Sequence, residues 1–323
     1  MVENILIFIL GLTFLYFGAE FLVTGSSRLA VMARIRPLFI GVTVVAFGTS
    51  SPEFLVSFIA AYSGKADVAV GNIVGSNIAN IALILGISCL LRPIVIKKSN
   101  TWREMLWMLS ATGLFWFFCL NKNISQIEGV FLFTGIVIFT LYLIRIALRE
   151  RKNNNNDDKI PEETGRLKNF SPGVRILIYC IQTITGIAIL IWGSKLTINS
   201  ATEIAKVLGV SEVIIGLSLV AFGTSLPELA TAIMSIIKKE NAILVGNIIG
   251  SNIFNILFVG GGIASIYSLP IKERIINIDI LFMIVISLVI VPFVWKSKKI
   301  HRFIGLLMLL YYLFYIVFIY INP

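Results

Sequence analysis

Two glutamates occupy matching places in the chain: Glu53 and Glu228 each follow a Gly-Thr-Ser-x-Pro sequence inside a long apolar run. A carboxylate in the middle of an apolar run is costly to place in a membrane and is usually kept for a functional reason. Proline has no amide hydrogen and clashes with the carbonyl four residues earlier, so Pro52 and Pro227 predict a kink or break in each helix. A structural role for each glutamate beside a common proline kink is the alternative, but it does not require the neighbouring hydroxyls. These belong to Thr49, Ser50, Thr224 and Ser225.

Carboxylates, hydroxyls and carbonyls released at a helix break form an all-oxygen set of ligands, which suits hard cations. Two carboxylates placed close together in a low dielectric cannot both stay ionised without a compensating cation or proton. One Ca²⁺ balances them, and so do two Na⁺ or two protons. Competition between these occupants is a physical basis for antiport. Mg²⁺ is less suited, because it dehydrates reluctantly and demands octahedral geometry.

A second doubled motif, Val-Gly-Asn-Ile-x-Gly-Ser-Asn-Ile-x-Asn, runs over 70–80 and 245–255. It places a serine four residues before an asparagine, so each such pair shares one face of a helix. Asparagine amides need partners in an apolar setting, and we therefore assign these polar residues to the same site. They are Ser76, Asn80, Ser251 and Asn255. The Gly-xxx-Gly spacing in each motif predicts close helix packing.

The elements that position these residues are membrane helices. Of the 323 residues 57% are apolar and 14% charged, with a mean hydropathy of +0.93, so the chain has more apolar surface than one soluble core can bury. A spanning helix needs about 20 apolar residues, and ten runs meet that need. They lie near 4–25, 38–62, 66–91, 103–121, 125–147, 173–200, 212–237, 241–268, 275–295 and 301–321.

The chain repeats itself at a spacing of 175 residues, and 18 of the 40 positions in 41–80 are identical to those in 216–255. Five spans per copy is an odd number, so the second copy enters the membrane upside down, as in the inverted repeats of secondary transporters. The predicted fold class is an all-α integral membrane protein with ten transmembrane helices in two inverted five-helix repeats. Its parts are the first repeat, 1–148, a polar linker, 149–172, and the second repeat, 173–323.

The basic residues predict the topology. With the N-terminus outside, the cytoplasmic loops hold 21 lysines and arginines and the outer side holds 6, which follows the positive-inside rule. We expect a multi-pass protein of the cell (plasma) membrane with both termini outside and the linker in the cytoplasm. The net charge of +10 lies in short clusters between apolar runs, so it indicates membrane topology, with no nucleic-acid partner. The lipid bilayer is the expected environment, and we expect neither a cofactor nor an obligate protein partner.

The paired blocks GTSSPEF with GNIVGSNIAN, and GTSLPEL with GNIIGSNIFN, resemble the two alpha repeats of the sodium/calcium exchangers, in the calcium/cation antiporter superfamily. The likeness is greatest to compact prokaryotic members and covers nearly the whole chain. It implies exchange of Na⁺ for Ca²⁺ by alternating access, four clustered cation sites at mid-membrane, and spans one and six that slide across the others. The implied ligands are Ala46 and Ala221 through their carbonyls, and Thr49, Ser50, Glu53, Ser76, Asn80, Thr224, Ser225, Glu228, Ser251 and Asn255 through their side chains.

Asn255 departs from some relatives, including potassium-dependent exchangers, which carry aspartate at this place. A neutral amide removes a possible negative charge, so we expect no potassium cotransport. The two remaining carboxylates balance one Ca²⁺ or two Na⁺, so moving more than two Na⁺ per Ca²⁺ makes the cycle sensitive to voltage.

Other functions remain open from the sequence. A proton/calcium exchanger can use the same glutamates, and a cation channel can use the same oxygen-lined path. An intramembrane enzyme is disfavoured, because the chain has no HExxH motif and only one histidine, His301, at a membrane edge.

Overall fold

The structure is a computed structural model that describes residues 1–96, 98–154, 170–208, 221–296 and 298–321. It is an all-α membrane protein with two very short β pairings. The helices are α1 (Val2–Ala33), α2 (Pro37–Thr49), α3 (Ser51–Tyr62), α4 (Ala66–Leu91), α5 (Lys98–Cys119), α6 (Gln126–Asn154), α7 (Pro172–Val207), α8 (Ala221–Thr224), α9 (Leu226–Ile237), α10 (Asn241–Ile266), α11 (Ile275–Trp295) and α12 (Arg302–Ile321). Residues 155–169, most of the predicted linker, lie outside this description, as does the start of the predicted span 212–237.

Seven of the described helices are long and apolar enough to cross a membrane, and an eighth span forms if α2 and α3 are counted as one bent helix. The seven are α1, α4, α6, α7, α10, α11 and α12. Two further helices lie in predicted spans. α5 has 22 residues and charged residues in its first turns. α9 has 12 residues, and the predicted span that contains it begins within 209–220, outside the described residues. The helices therefore occupy every predicted span that the structure describes.

Burial separates the central helices from the outer ones. In their most apolar stretches α4 and α10 are 78% and 89% buried, while α1, α6, α7 and α12 are buried over 28% or less. The outer helices expose large apolar side chains, such as Leu6, Phe131 and Leu313, as expected for a surface that contacts lipid. α4 and α10, which carry the second doubled motif, form the centre of the molecule.

The two longest helices, α1 and α7, pack along each other in opposite directions. Their contact depends on small residues: a Cβ on Gly18 would lie 2.8 Å from the backbone nitrogen of Leu190, and one on Gly193 would lie 2.8 Å from that of Leu15. Close backbone approach of this kind is how membrane helices gain packing energy without a hydrophobic effect between them. α1 and α7 thus form a pair with an intimate internal contact.

Helices α2 and α3 meet at a bend of 43°. Ser50 lies between them with φ −84° and ψ 5°, and Pro52 follows in the first turn of α3. The same arrangement joins α8 and α9, where Ser225 has φ −87° and ψ 6° and Pro227 is in the first turn of α9. The predicted proline breaks are therefore present in both halves.

The described elements recur at the 175-residue spacing. α3 corresponds to α9, α4 to α10, and the π-helical stretch Ala79–Leu85 inside α4 to Phe254–Gly260 inside α10. The short strands follow the same relation: Ile94–Val95 pairs with Lys299–Ile300, and Asn123–Ile124 pairs with Leu269–Pro270. Each pairing joins one half of the chain to the other.

The glycines of the second motif show the expected close packing in one half. A Cβ on Gly246 would lie 2.7 Å from the Leu38 carbonyl and 3.1 Å from the Gly41 Cα, so α10 touches the backbone of α2. At the Cβ positions of Gly71 and Gly75 no described atom of another segment comes within 4 Å. Their partners by the repeat would lie in 213–221, and all but the last of those residues are outside the description.

Candidate cation site

The two glutamates of the first motif stand in the first turns of their helices. Glu53 is the third residue of α3 and is 1% exposed, and Glu228 is the third residue of α9 and is 2% exposed. The first turn of a helix leaves backbone N–H groups without helical partners and carries a positive partial charge, so it favours a carboxylate. The proline breaks thus create helix starts in the interior and place one glutamate at each.

Each glutamate is hydrogen-bonded by the serine of the opposite half. The Ser50 hydroxyl donates to Glu228 Oε1 over 3.1 Å, and the Ser225 hydroxyl donates to Glu53 Oε1 over 3.3 Å. Each serine also lies three residues before the glutamate of its own half, so these two bonds bring the carboxylates into the same part of the interior. The two motifs, which are far apart in the sequence, therefore build a single site.

Several polar atoms of the predicted ligand residues have no hydrogen-bond partner anywhere in the described chain, although they are fully buried. They are Oε2 of Glu53, Oε2 of Glu228, Oγ of Ser76, and both amide atoms of Asn80 and of Asn255. Buried polar atoms without partners are costly and uncommon, and a carboxylate oxygen costs the most. All but two of these atoms are oxygens, so a bound cation would compensate the cost.

The threonines of the first motif contact asparagines of the second. Thr49 Oγ1 donates to Asn247 Oδ1 at 3.2 Å and lies 3.5 Å from Ser251 Oγ. In the other half Thr224 Oγ1 donates to Asn72 Oδ1 at 3.5 Å. Asn72 and Asn247 were not among the predicted site residues. They stand at equivalent places in the doubled motif, and that equivalence is the signal by which they could have been found.

The carbonyls assigned to the site belong to the short helices before the breaks. The Ala46 carbonyl accepts the Ser50 amide at 3.0 Å and lies 3.4 Å from Thr49 Oγ1. A carbonyl oxygen has two lone pairs, so one remains for a further partner. Ala221 begins α8, one turn before the second break.

One carbonyl released by a proline is satisfied within the protein. Pro227 leaves the Gly223 carbonyl without its helical partner, and the Ser194 hydroxyl of α7 donates to it over 2.9 Å. The residue equivalent to Ser194 is Ala19, which has no hydroxyl. The two halves thus differ: α7 supplies a hydroxyl to the carbonyl that Pro227 releases, and α1 has no hydroxyl at the equivalent position.

A second pair of buried acidic residues, Glu104 and Asp279, also stands 175 residues apart and was not singled out from the sequence. Tyr315 donates to Asp279 at 3.1 Å, and Glu104 lies in α5, 1% exposed. Asp279 therefore has a local partner, as expected for structural anchoring of α11. Both residues lie near the ends of predicted spans, where charged residues are expected to be exposed, so the sequence did not predict that they are buried.

Among the described residues no three His, Cys, Asp or Glu side chains come together as a metal-binding group. The candidate site holds two carboxylates and a majority of neutral oxygens. Because the site has few fixed charges, a cation that binds there can also leave, as transport requires.

The chain is similar to known proteins both in sequence and in structure. The family model for the sodium/calcium exchanger protein matches residues 3–149 and 178–321. The putative antiporter CaxA of Alkalimonas amylolytica is 38% identical over 256 residues, which cover 79% of this chain and 78% of CaxA. The sodium/calcium exchanger MaX1 of Methanosarcina acetivorans is 30% identical over 341 residues and 97% of both chains. The solved structure of the sodium-calcium exchanger NCX_Mj soaked with 2.5 mM Na⁺ and 10 mM Sr²⁺ superposes with a TM-score of 0.81 at 31% identity, over 98% of each chain.

The fold and the site define a multi-pass membrane protein with a buried cluster of two carboxylates and several hydroxyls. The chain belongs to the sodium/calcium exchanger family, because the family model matches most of its length and the NCX_Mj structure superposes over nearly all of it.

Proposed function

We propose that this protein is a secondary active antiporter that exchanges Na⁺ for Ca²⁺ by alternating access. The observation that carries the proposal is the reciprocal bonding of Ser50 to Glu228 and Ser225 to Glu53. It brings two carboxylates into one buried site and leaves one oxygen of each without a partner in the described chain. A divalent cation or two monovalent cations can balance this pair, and they compete for it.

The proposed ligands combine side chains from both halves with two backbone carbonyls. Glu53 and Glu228 bridge the bound cations, and the hydroxyls and amides complete an oxygen shell of the kind that Ca²⁺ takes. The full set is Ala46, Thr49, Ser50, Glu53, Ser76, Asn80, Ala221, Thr224, Ser225, Glu228, Ser251 and Asn255.

We further propose ten spans in two inverted repeats, 1–148 and 173–323, joined by the linker 149–172. The strand pairings support the inversion. Ile94–Val95 and Asn123–Ile124 flank α5 and so lie on opposite sides of the membrane if α5 spans it, and each pairs with a strand of the second half. That exchange of partners is what a two-fold axis in the membrane plane produces.

The ion pairs support the proposed assignment of segments to the two sides of the membrane, and the positive-inside count orients it with both termini outside the cell membrane. Lys238 bonds Glu20 and Arg36 bonds Glu150, and all four residues fall at the predicted cytoplasmic ends of their segments. Lys272 bonds Asp67 and Lys122 bonds Glu273, and these fall on the predicted outer side. No described ion pair joins residues assigned to opposite sides.

The experiment that tests the function is calcium uptake into sodium-loaded proteoliposomes with and without an outward sodium gradient. Wild type is compared with Glu53→Gln and Glu228→Gln, which keep the shape of the side chain and remove its charge. Glu203→Gln is the matched control, because Glu203 is half exposed and pairs with Lys206 on its own helix, over 2.9 Å. We expect sodium-dependent uptake in wild type and in the control, and none in either site variant.

Other outcomes of the same experiment identify other functions. Uptake that ignores sodium and follows a pH gradient indicates a proton/calcium exchanger that uses the same glutamates. Uptake without any counter-ion gradient indicates a channel. Replacing K⁺ by choline leaves the rate unchanged if Asn255 makes the cycle independent of potassium, and lowers it if potassium is cotransported.

A further inference from the structure

Two asparagines outside the proposed ligand set each hold a threonine of the opposite half. Asn247 of α10 accepts from Thr49 Oγ1 at 3.2 Å, and Asn72 of α4 accepts from Thr224 Oγ1 at 3.5 Å. The two contacts are related by the 175-residue repeat, so the same arrangement is formed twice by different segments. A pairing that recurs in both halves calls for a physical reason.

The orientation of the Asn72 amide is fixed by its other contacts. Its Nδ2 donates to the Glu53 carbonyl at 3.3 Å and to Ser57 Oγ at 2.9 Å. Because a backbone carbonyl can only accept, the amide nitrogen faces α3 and the amide oxygen faces Thr224. The Thr224 hydroxyl is therefore the donor in its bond to Asn72.

A threonine hydroxyl has a single proton, and its direction decides what else the oxygen can do. Inside a helix this proton usually goes to the carbonyl three or four residues earlier, which for Thr49 is Ala46 at 3.4 Å. Asn247 Oδ1 is nearer, at 3.2 Å. With the proton directed to Asn247, the lone pairs of Thr49 Oγ1 and of the Ala46 carbonyl stay available to a cation.

We propose that Asn72 and Asn247 are positioning residues of the cation site, each acting through a threonine of the other half. This inference rests on the proposed function, since it takes the threonine oxygens to be cation ligands. Asn247 directs the Thr49 proton away from the cation, and Asn72 does the same for Thr224. Each asparagine also couples α4 or α10 to the helix break of the opposite half, so the oxygens are set before the cation arrives.

The two asparagines are not equally anchored. Ser57 holds the Asn72 nitrogen, but the equivalent residue in the second half is Ala232, and Asn247 Nδ2 has no hydrogen-bond partner within the described chain. Loss of the Ser57 hydroxyl should therefore loosen Asn72 without removing it. This offers a mild variant that tests the same idea as removal of the asparagine.

Double-mutant cycles read by calcium binding test the proposal. Calcium affinity is measured by titration calorimetry on the purified, detergent-solubilised chain. The variants are Asn72→Ala, Asn247→Ala, Thr49→Val, Thr224→Val, both structurally paired doubles, and the crossed double Asn72→Ala with Thr49→Val. We expect each single Asn→Ala change to weaken calcium binding about tenfold, as loss of one well-placed hydrogen bond implies.

The doubles separate positioning from a general effect. Asn72→Ala should add nothing to Thr224→Val, because the threonine through which it acts is gone, whereas the crossed double should show the product of both losses. Ser57→Ala should weaken binding about threefold, as loss of a partial anchor implies, and Ser57→Thr, which keeps a hydroxyl, should restore it. Thermal unfolding of each variant shows whether the fold is retained.

Two results overturn the inference while leaving the proposed function intact. They are unchanged calcium affinity in Asn72→Ala and Asn247→Ala, and losses that multiply equally in the paired and crossed doubles. If wild type binds no calcium, the proposed function fails first, and the inference falls with it.

Discussion

Ser50 and Glu228 are 178 residues apart in the chain, yet the Ser50 hydroxyl donates a 3.1 Å hydrogen bond to the Glu228 carboxylate. The equivalent bond from Ser225 to Glu53 mirrors it. Neither half of the protein therefore completes a site alone, and each carboxylate is held by the other half.

Replacing the bridging serines should weaken cation binding. Ser50→Ala and Ser225→Ala each remove a hydrogen bond to a carboxylate, and such bonds contribute about 1.5–3 kcal/mol when one partner is charged. We expect the half-saturating calcium concentration of sodium-driven uptake to rise at least about tenfold. Ser51→Ala is the matched control, because its hydroxyl bonds the Phe47 carbonyl of the preceding helix, α2, at 2.8 Å and contacts neither carboxylate. An equal effect of Ser50→Ala and Ser51→Ala would contradict the assignment.

The contact between α1 and α7 should not tolerate a larger residue. A Cβ on Gly186 would lie 2.9 Å from the Gly18 carbonyl, and the backbone cannot yield cheaply there. Alanine is intrinsically a better helix former than glycine by about 1 kcal/mol, but overpacking costs about 1–3 kcal/mol. Gly186→Ala should therefore lower the melting temperature of the purified protein. Gly113→Ala should not, since no described atom of another segment lies within 4 Å of its Cβ position.

The ion pair between Lys238 and Glu20 should affect the rate of exchange more than binding. It spans 2.7 Å and ties α1 to the turn that follows α9. This turn is at the opposite end of α9 from Glu228. Both side chains are about a third exposed, so the pair is worth about 1 kcal/mol at most. Glu20→Gln should change the turnover rate by no more than about fivefold and leave calcium affinity as in wild type. A large loss of calcium affinity would show that Glu20 belongs to the site.

Exchange should respond to membrane potential. If more than two Na⁺ leave for each Ca²⁺ that enters, net positive charge moves outward, so an interior-positive potential speeds calcium uptake and an interior-negative one slows it. One elementary charge across 100 mV is worth about 2.3 kcal/mol. The test is sodium-driven uptake into proteoliposomes clamped at opposite potassium diffusion potentials with valinomycin. Equal rates at both potentials would mean an electroneutral exchange of two Na⁺ for one Ca²⁺.

The structure also supplied partners that the sequence did not indicate. Glu20 lies inside the first predicted span, and it bonds Lys238 of another segment. Pro227 releases the Gly223 carbonyl, and the Ser194 hydroxyl of α7 bonds it. In both cases the partner comes from a part of the chain that no local pattern connects to the residue.

The sequence by itself determined the membrane class, the positions of the helices, the proline breaks and the doubled polar motifs. These follow from hydropathy, from the missing amide of proline and from internal identity, all of which are local or repeated properties of the chain. Only the tertiary structure decided that Ser50 bonds Glu228, that Thr49 bonds Asn247, and that Glu104 and Asp279 are buried. Such pairings depend on how α3, α4, α9 and α10 pack, and helix packing is set by side-chain shapes summed over whole surfaces, which periodicity does not record.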